Sequence, residues 1–140
     1  MRVMLLRFVV CSFLLVGFLC SADAPGQLTR EEAANLVKQW LTTGGYPTGS
    51  PRFTLDSDID RTDFPVFYFF SASYEQGQSV PTLGHFAVNQ RTADLWDWEL
   101  CKRLSTPSLR TSQKLLRSKM RLPTREFRES SKAAPCSGPT

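Results

Sequence analysis

Five aromatic residues fall within the ten positions Phe64-Pro65-Val66-Phe67-Tyr68-Phe69-Phe70-Ser71-Ala72-Ser73. As a strand, this segment puts Phe67 and Phe69 on one face and Val66, Tyr68 and Phe70 on the other, so its upstream part must be covered on both sides. Pro65 sits at the start, where a missing amide does least harm. Glu75 to Ser79 supplies a turn, and a second strand is predicted from Thr82 to Val88. Asn89-Gln90-Arg91-Thr92 turns the chain again, and Ala93 to Trp98 returns as a third strand. Arg52 to Leu55 is a short strand candidate upstream.

Such a sheet needs a cover, and two helices flank it. The first is predicted from Glu31 to Leu41, with Thr29 and Glu32 spaced as a capping box and Leu28 with Ala33 as a hydrophobic staple. Ala33, Leu36, Val37, Trp40 and Leu41 share one stripe, and Gly44-Gly45 ends the helix. The second is predicted from Pro107 to Arg121, opened by Thr106 as cap and Pro107 as first helical residue. Its apolar stripe, Leu109, Leu116 and Met120, lies about 110° around the axis from the cationic row Arg110, Lys114, Arg117 and Arg121. The expected fold is therefore α+β: an N-terminal helix packed on a three- or four-stranded antiparallel sheet, followed by a basic C-terminal helix. The expected divisions are a single domain over residues 23–122 and a C-terminal tail over residues 123–140.

Residues 1–22 read as a secretory signal peptide: Arg2 and Arg7 precede the apolar run Phe8 to Cys20, which ends at small residues. Cleavage after Ala22 avoids leaving Pro25 as the first mature residue. Cys20 raises a lipoprotein alternative, against which stands the large Leu19 where a small residue belongs. Removing the segment leaves 118 residues, enough for one domain, and two cysteines, Cys101 and Cys136. In an oxidising compartment, secreted or periplasmic, these two are expected to pair and tie the tail back.

Charge is distributed unevenly. Asp23 to Cys101 holds 5 basic and 11 acidic residues, whereas Lys102 to Thr140 holds 10 basic and 2 acidic. The basic end can fold against the acidic body or be offered to an anionic partner.

The opening Leu28-Thr29-Arg30-Glu31-Glu32-Ala33 and the hairpin Phe86-Ala87-Val88-Asn89-Gln90-Arg91-Thr92-Ala93-Asp94-Leu95-Trp96, in the order helix and three strands, resemble the small exported PepSY-like domains over residues 28–98. Val88, Asn89, Thr92 and Leu95 match their hairpin pattern, with Ala93 at the usual glycine. Cystatin-like folds, including some immunity proteins, are similar in layout. The resemblance implies a peptidase-regulating, inhibitory or other protein-binding module without catalytic residues.

No catalytic, metal or cofactor site is predicted from the residues. His85 is the lone histidine, placed on the strand face of Leu83 and Ala87, and a small hydrolase built on it is the enzymatic alternative. Two cysteines and one histidine without close spacing do not make a zinc site. Asp56, Asp58, Asp60 and Asp63 begin a calcium-like spacing, but Arg61 replaces the turning glycine and Phe67 the closing glutamate. Asp94, Asp97 and Glu99 resemble a glycosidase in composition only. The expected contact residues are the cationic row and the aromatic patch Tyr68, Trp96 and Trp98. Another exported or envelope protein is the expected partner, an anionic membrane surface is the alternative, and nucleic acid is disfavoured by the small net charge.

Overall fold

The computed structural model describes residues 26–59, 61 and 63–136, so the expected signal peptide and its expected cleavage site lie outside the described residues. Helix α1 runs from Arg30–Thr43. Its capping box forms as the spacing requires: the Glu32 amide donates to Thr29 Oγ1 at 3.1 Å, and the Thr29 amide donates to Glu32 Oε2 at 3.0 Å. Leu28 and Ala33, the staple residues, are fully buried. Gly45, at φ 89, supplies the left-handed residue just past the helix end.

Five strands follow, in an antiparallel sheet whose spatial order equals their chain order: β1 (Phe53–Ile59), β2 (Phe67–Tyr74), β3 (Thr82–Asn89), β4 (Leu95–Asp97) and β5 (Lys102–Leu104). The expected three or four strands thus become five. The short candidate near Phe53 extends into a full edge strand paired with β2. β5 was invisible in the pattern because it is three residues long and begins Lys-Arg. Cys101 at φ 51 turns the chain so that Leu95 pairs with Leu104 and Trp96 with Arg103. Only Leu104 of this strand is buried. The aromatic strand begins at Phe67, because Phe64 and Pro65 are taken into a turn closed by the Phe67 amide on the Phe64 carbonyl.

Alternation along β2 divides the core as the residues dictate. Phe70 and Ala72 join Leu28, Leu36, Val37, Leu41, Phe86, Val88, Leu95, Leu109 and Met120 in the larger cluster, with Tyr68 packed against it. Phe67, Phe69 and Ala87 form a smaller cluster on the opposite face with Phe64, Trp96, Trp98 and Ala133 around it. One expectation fails at β3. Register skips Leu83 between the pairs Ala72–Gly84 and Ser73–Thr82, and this bulge carries Leu83 into the larger cluster, away from Ala87.

The β3–β4 hairpin is held by its own side chains. Asn89 Oδ1 accepts from the amides of Arg91 and Thr92 at 2.9 and 3.1 Å, while its Nδ2 donates to the Ser130 carbonyl at 3.0 Å. Thr92 Oγ1 donates to Asp94 Oδ2 at 2.6 Å. Ala93 occupies the left-handed region at φ 58, the geometry glycine would supply. That backbone costs alanine about 1 kcal/mol, and the fully buried methyl returns about 0.8 kcal/mol. Ala93→Gly is therefore expected to shift stability by less than about 1 kcal/mol, whereas Ala93→Val, β-branched at positive φ, should lose several times that; urea denaturation of the pair checks both.

Helix α2 (Pro107–Met120) opens with the Leu109 amide on Thr106 Oγ1 at 3.1 Å and ends with Arg121 at φ 50. Leu109 and Met120 are buried and Leu116 half-buried, with Gln113 buried between them and its Nε2 donating to the Ala93 carbonyl at 2.9 Å. A short helix α3 (Thr124–Ser130) buries none of its residues. Cys136 beyond it is bonded to Cys101, with Cα atoms 5.7 Å apart.

Candidate protein-binding surfaces

Of the four cations in the expected row, one does not belong to a solvent face. Arg117 turns toward the β3–β4 hairpin, where its Nε donates to the Thr92 carbonyl at 2.6 Å and its Nη2 to Asp94 Oδ1 at 2.8 Å. Its guanidinium also lies 5.3 Å from the Phe127 ring centroid. The reason is Asp94: only 7% of its side chain is exposed, and a carboxylate so placed requires a cation. Arg103 supplies a second, longer contact at 3.7 Å. At 340° around the helix from Arg110, Arg117 is also nearest the buried stripe, so a small rotation of its side chain reaches the hairpin.

Arg110, Lys114 and Arg121 remain exposed, with no ion-pair partner among the described residues. Lys119, outside the expected row, pairs with Glu32 on α1. Burial works to raise the Glu32 pKa. The hydrogen bond from Lys119, the Thr29 amide and the Lys119 charge outweigh it and hold the carboxyl below its ordinary value. The basic end therefore does both things its charge allows: Arg103, Arg117 and Lys119 neutralise acids of the body, and the outer cations stay in solvent.

The outward face of α2 also carries Leu115, 73% exposed, which the heptad-like pattern leaves off the apolar stripe. Between it and the cations stand Thr111 and Ser118. Their hydroxyls turn back onto the carbonyls of Pro107 and Lys114 at 3.1 and 3.0 Å, leaving a shallow strip.

The expected aromatic patch splits across the sheet. Tyr68 lies on the helix-covered face, its hydroxyl donating to the Leu28 carbonyl at 3.1 Å beneath the Arg30 guanidinium. Trp96 and Trp98 lie on the other face and are half-buried: Arg103 stands 5.1 Å from the Trp96 ring centroid and Arg61 4.8 Å from that of Trp98. Both indole nitrogens are buried without a hydrogen-bond partner among the described residues. Their rings are therefore used chiefly against the chain's own guanidinium groups and Phe69.

His85 Nδ1 lies 2.8 Å from Glu99 Oε1, and its ring is 5.6 Å from that of Trp98. Ser71 faces it across the β2–β3 ladder. No hydrogen bond joins Ser71 to the imidazole among the described residues, so the serine–base contact that activates a nucleophile is not made. A groove of about 370 Å³ between the end of α1 and the sheet is lined by Trp40, Tyr46, Leu83, Phe86, Asp97 and Leu104. Another of about 440 Å³ lies between Arg30, Lys38, Phe53 and Leu55. His85 lines neither.

These features define an α+β chain, an antiparallel meander with α1 and α2 on one face. No family model matches the sequence, the PepSY-like and cystatin-like families included, and no curated protein matches it. Among solved structures it is similar to a chain in a type VI secretion system effector–immunity complex from Pseudomonas protegens. The TM-score is 0.62 and the identity 25%, covering 76% of this chain and 88% of that one.

Proposed function

We propose that this chain is an exported, noncatalytic module that binds another protein and inhibits it, in the manner of an immunity partner. The observation that carries the reading is the similarity to a chain from an assembly of effector and immunity protein, extending over 88% of that chain. Two features of the residues support it. The only imidazole is held by Glu99 beside a tryptophan and lines neither of the two grooves described above, and Asp94 and Glu32 are taken up by Arg117 and Lys119 between elements of the fold. Export rests on the basic and apolar first 22 residues, and the partner is accordingly sought in the envelope or the secreted fraction. Regulation of a peptidase is a narrower form of the same reading, carried by the PepSY-like hairpin.

The test is copurification of the processed chain from envelope and secreted fractions, followed by mass measurement of the intact complex. A single protein recovered at fixed stoichiometry is expected. Turnover of a substrate by the isolated chain, lost in His85→Gln, is the outcome that would replace this reading with the hydrolase.

A further inference from the structure

We infer that the outward face of α2 is the contact surface and that its occupant is an acidic protein surface carrying an apolar pocket for Leu115. This rests on the protein-binding reading above and names the surface and partner chemistry within it. Every α2 residue from Pro107 to Met120 is neutral or basic, so this face has no carboxylate of its own to neutralise its cations. Arg110 and Lys114 lie about 40° apart around the axis, and Arg121, the left-handed cap residue past Met120, extends the row to about 16 Å along it. Leu115 stands on the same outward half of the helix, beyond the shallow strip of Thr111 and Ser118. Leu115 lies about 100–140° around the axis from these cations. A large apolar side chain 73% exposed on the same outward half of a helix as cations with no ion-pair partner among the described residues has the composition of an interface, in which an apolar anchor supplies affinity and charge supplies orientation.

The occupant's class follows from what the face lacks. It has no aromatic residue to stack on bases and none to sit at a lipid headgroup boundary. Three cations are also few for a polyanion when Asp56 and Asp63 are exposed elsewhere on the same chain. A folded protein presenting a few placed carboxylates fits better.

The experiment measures the affinity of the copurified protein for the full processed chain and three variants: Arg110→Glu/Lys114→Glu/Arg121→Glu, Leu115→Asp, and Lys38→Glu/Arg52→Glu/Arg128→Glu. The last has the same net charge change at exposed cations off this face. None of the seven positions supports the core, so all three variants should keep the wild-type circular dichroism. The first two are expected to weaken binding by about tenfold or more and the third by less than about threefold, with the wild-type complex weakening as salt rises. If the copurified protein binds the first two variants as it binds wild type, the inference is wrong and the protein-binding reading stands. If no protein copurifies, both fall. If phosphatidylglycerol vesicles or a 20-base-pair duplex bind through these residues more tightly than the protein does, the occupant assigned here is wrong.

Discussion

Arg117→Gln is expected to lower the free energy of unfolding by about 2–3 kcal/mol, while Arg110→Gln, Lys114→Gln and Arg121→Gln each change it by less than about 0.5 kcal/mol. The four look interchangeable as a sequence, and the difference between them is the company Arg117 keeps. It closes on the Thr92 carbonyl and on Asp94, whose side chain is 7% exposed. Glutamine in its place leaves a buried carboxylate with the Thr92 hydroxyl and a distant Arg103 at 3.7 Å. The loss is held below that of a fully buried pair because Arg117 is itself 33% exposed and Arg103 remains. Arg117→Lys should fall between the two, since an ammonium cannot hold the carbonyl and the carboxylate in one plane. Urea midpoints of the four single variants decide the point; four equal values would mean that Asp94 does not depend on Arg117.

Reduction of the Cys101–Cys136 bond, or Cys101→Ser, is expected to cost about 3–4 kcal/mol, the closure entropy of a 35-residue loop in the chain-entropy model. The loss should be local before it is global. Helix α3 buries none of its residues and has no side-chain cap, so its placement depends on few contacts: Asn89 and Arg103 on the carbonyls of Ser130 and Ser131, Arg91 with Glu126, Arg117 over the Phe127 ring, and the disulfide beyond them. Ala133 packs beside the cluster of Phe67, Phe69, Trp96 and Trp98. Freed of the bond, residues 124–136 should lose amide protection first, with a change in tryptophan emission, while β2 and β3 retain theirs. Loss of protection throughout the sheet at the same rate would instead make the bond part of a single cooperative unit.

The sequence carried most of the fold because its local signals agree with one another. Thr29 with Glu32, Thr106 with Pro107 and the alternation from Phe67 to Phe70 each name an element and its buried side. The pairing of Cys101 with Cys136 followed from there being no other candidate once residues 1–22 are read as a signal peptide. What escaped depends on contacts far apart in the chain. β5 exists only because Cys101 reverses the backbone beside β4, and Leu83 changes face because of one skipped register position. Arg117 left the cationic row for a carboxylate 23 positions upstream. Gln113 carries no signal in its residue type, because its amide meets the Ala93 carbonyl only in the fold, and Tyr68, expected beside Trp96 and Trp98, is separated from them by the sheet. Leu115 was not singled out by the sequence pattern, and only its 73% exposure gives it meaning.

Inhibition by stoichiometric contact, rather than by chemistry, is the centre of the account, and a titration of the copurified protein's own activity tests it most directly. Increasing amounts of the processed chain should abolish that activity at one fixed molar ratio. The activity should return when the complex is dissociated, and the partner's intact mass should be unchanged throughout. Inactivation by a small fraction of an equivalent, or a permanent change in the partner's mass, would contradict the account and make this chain an enzyme.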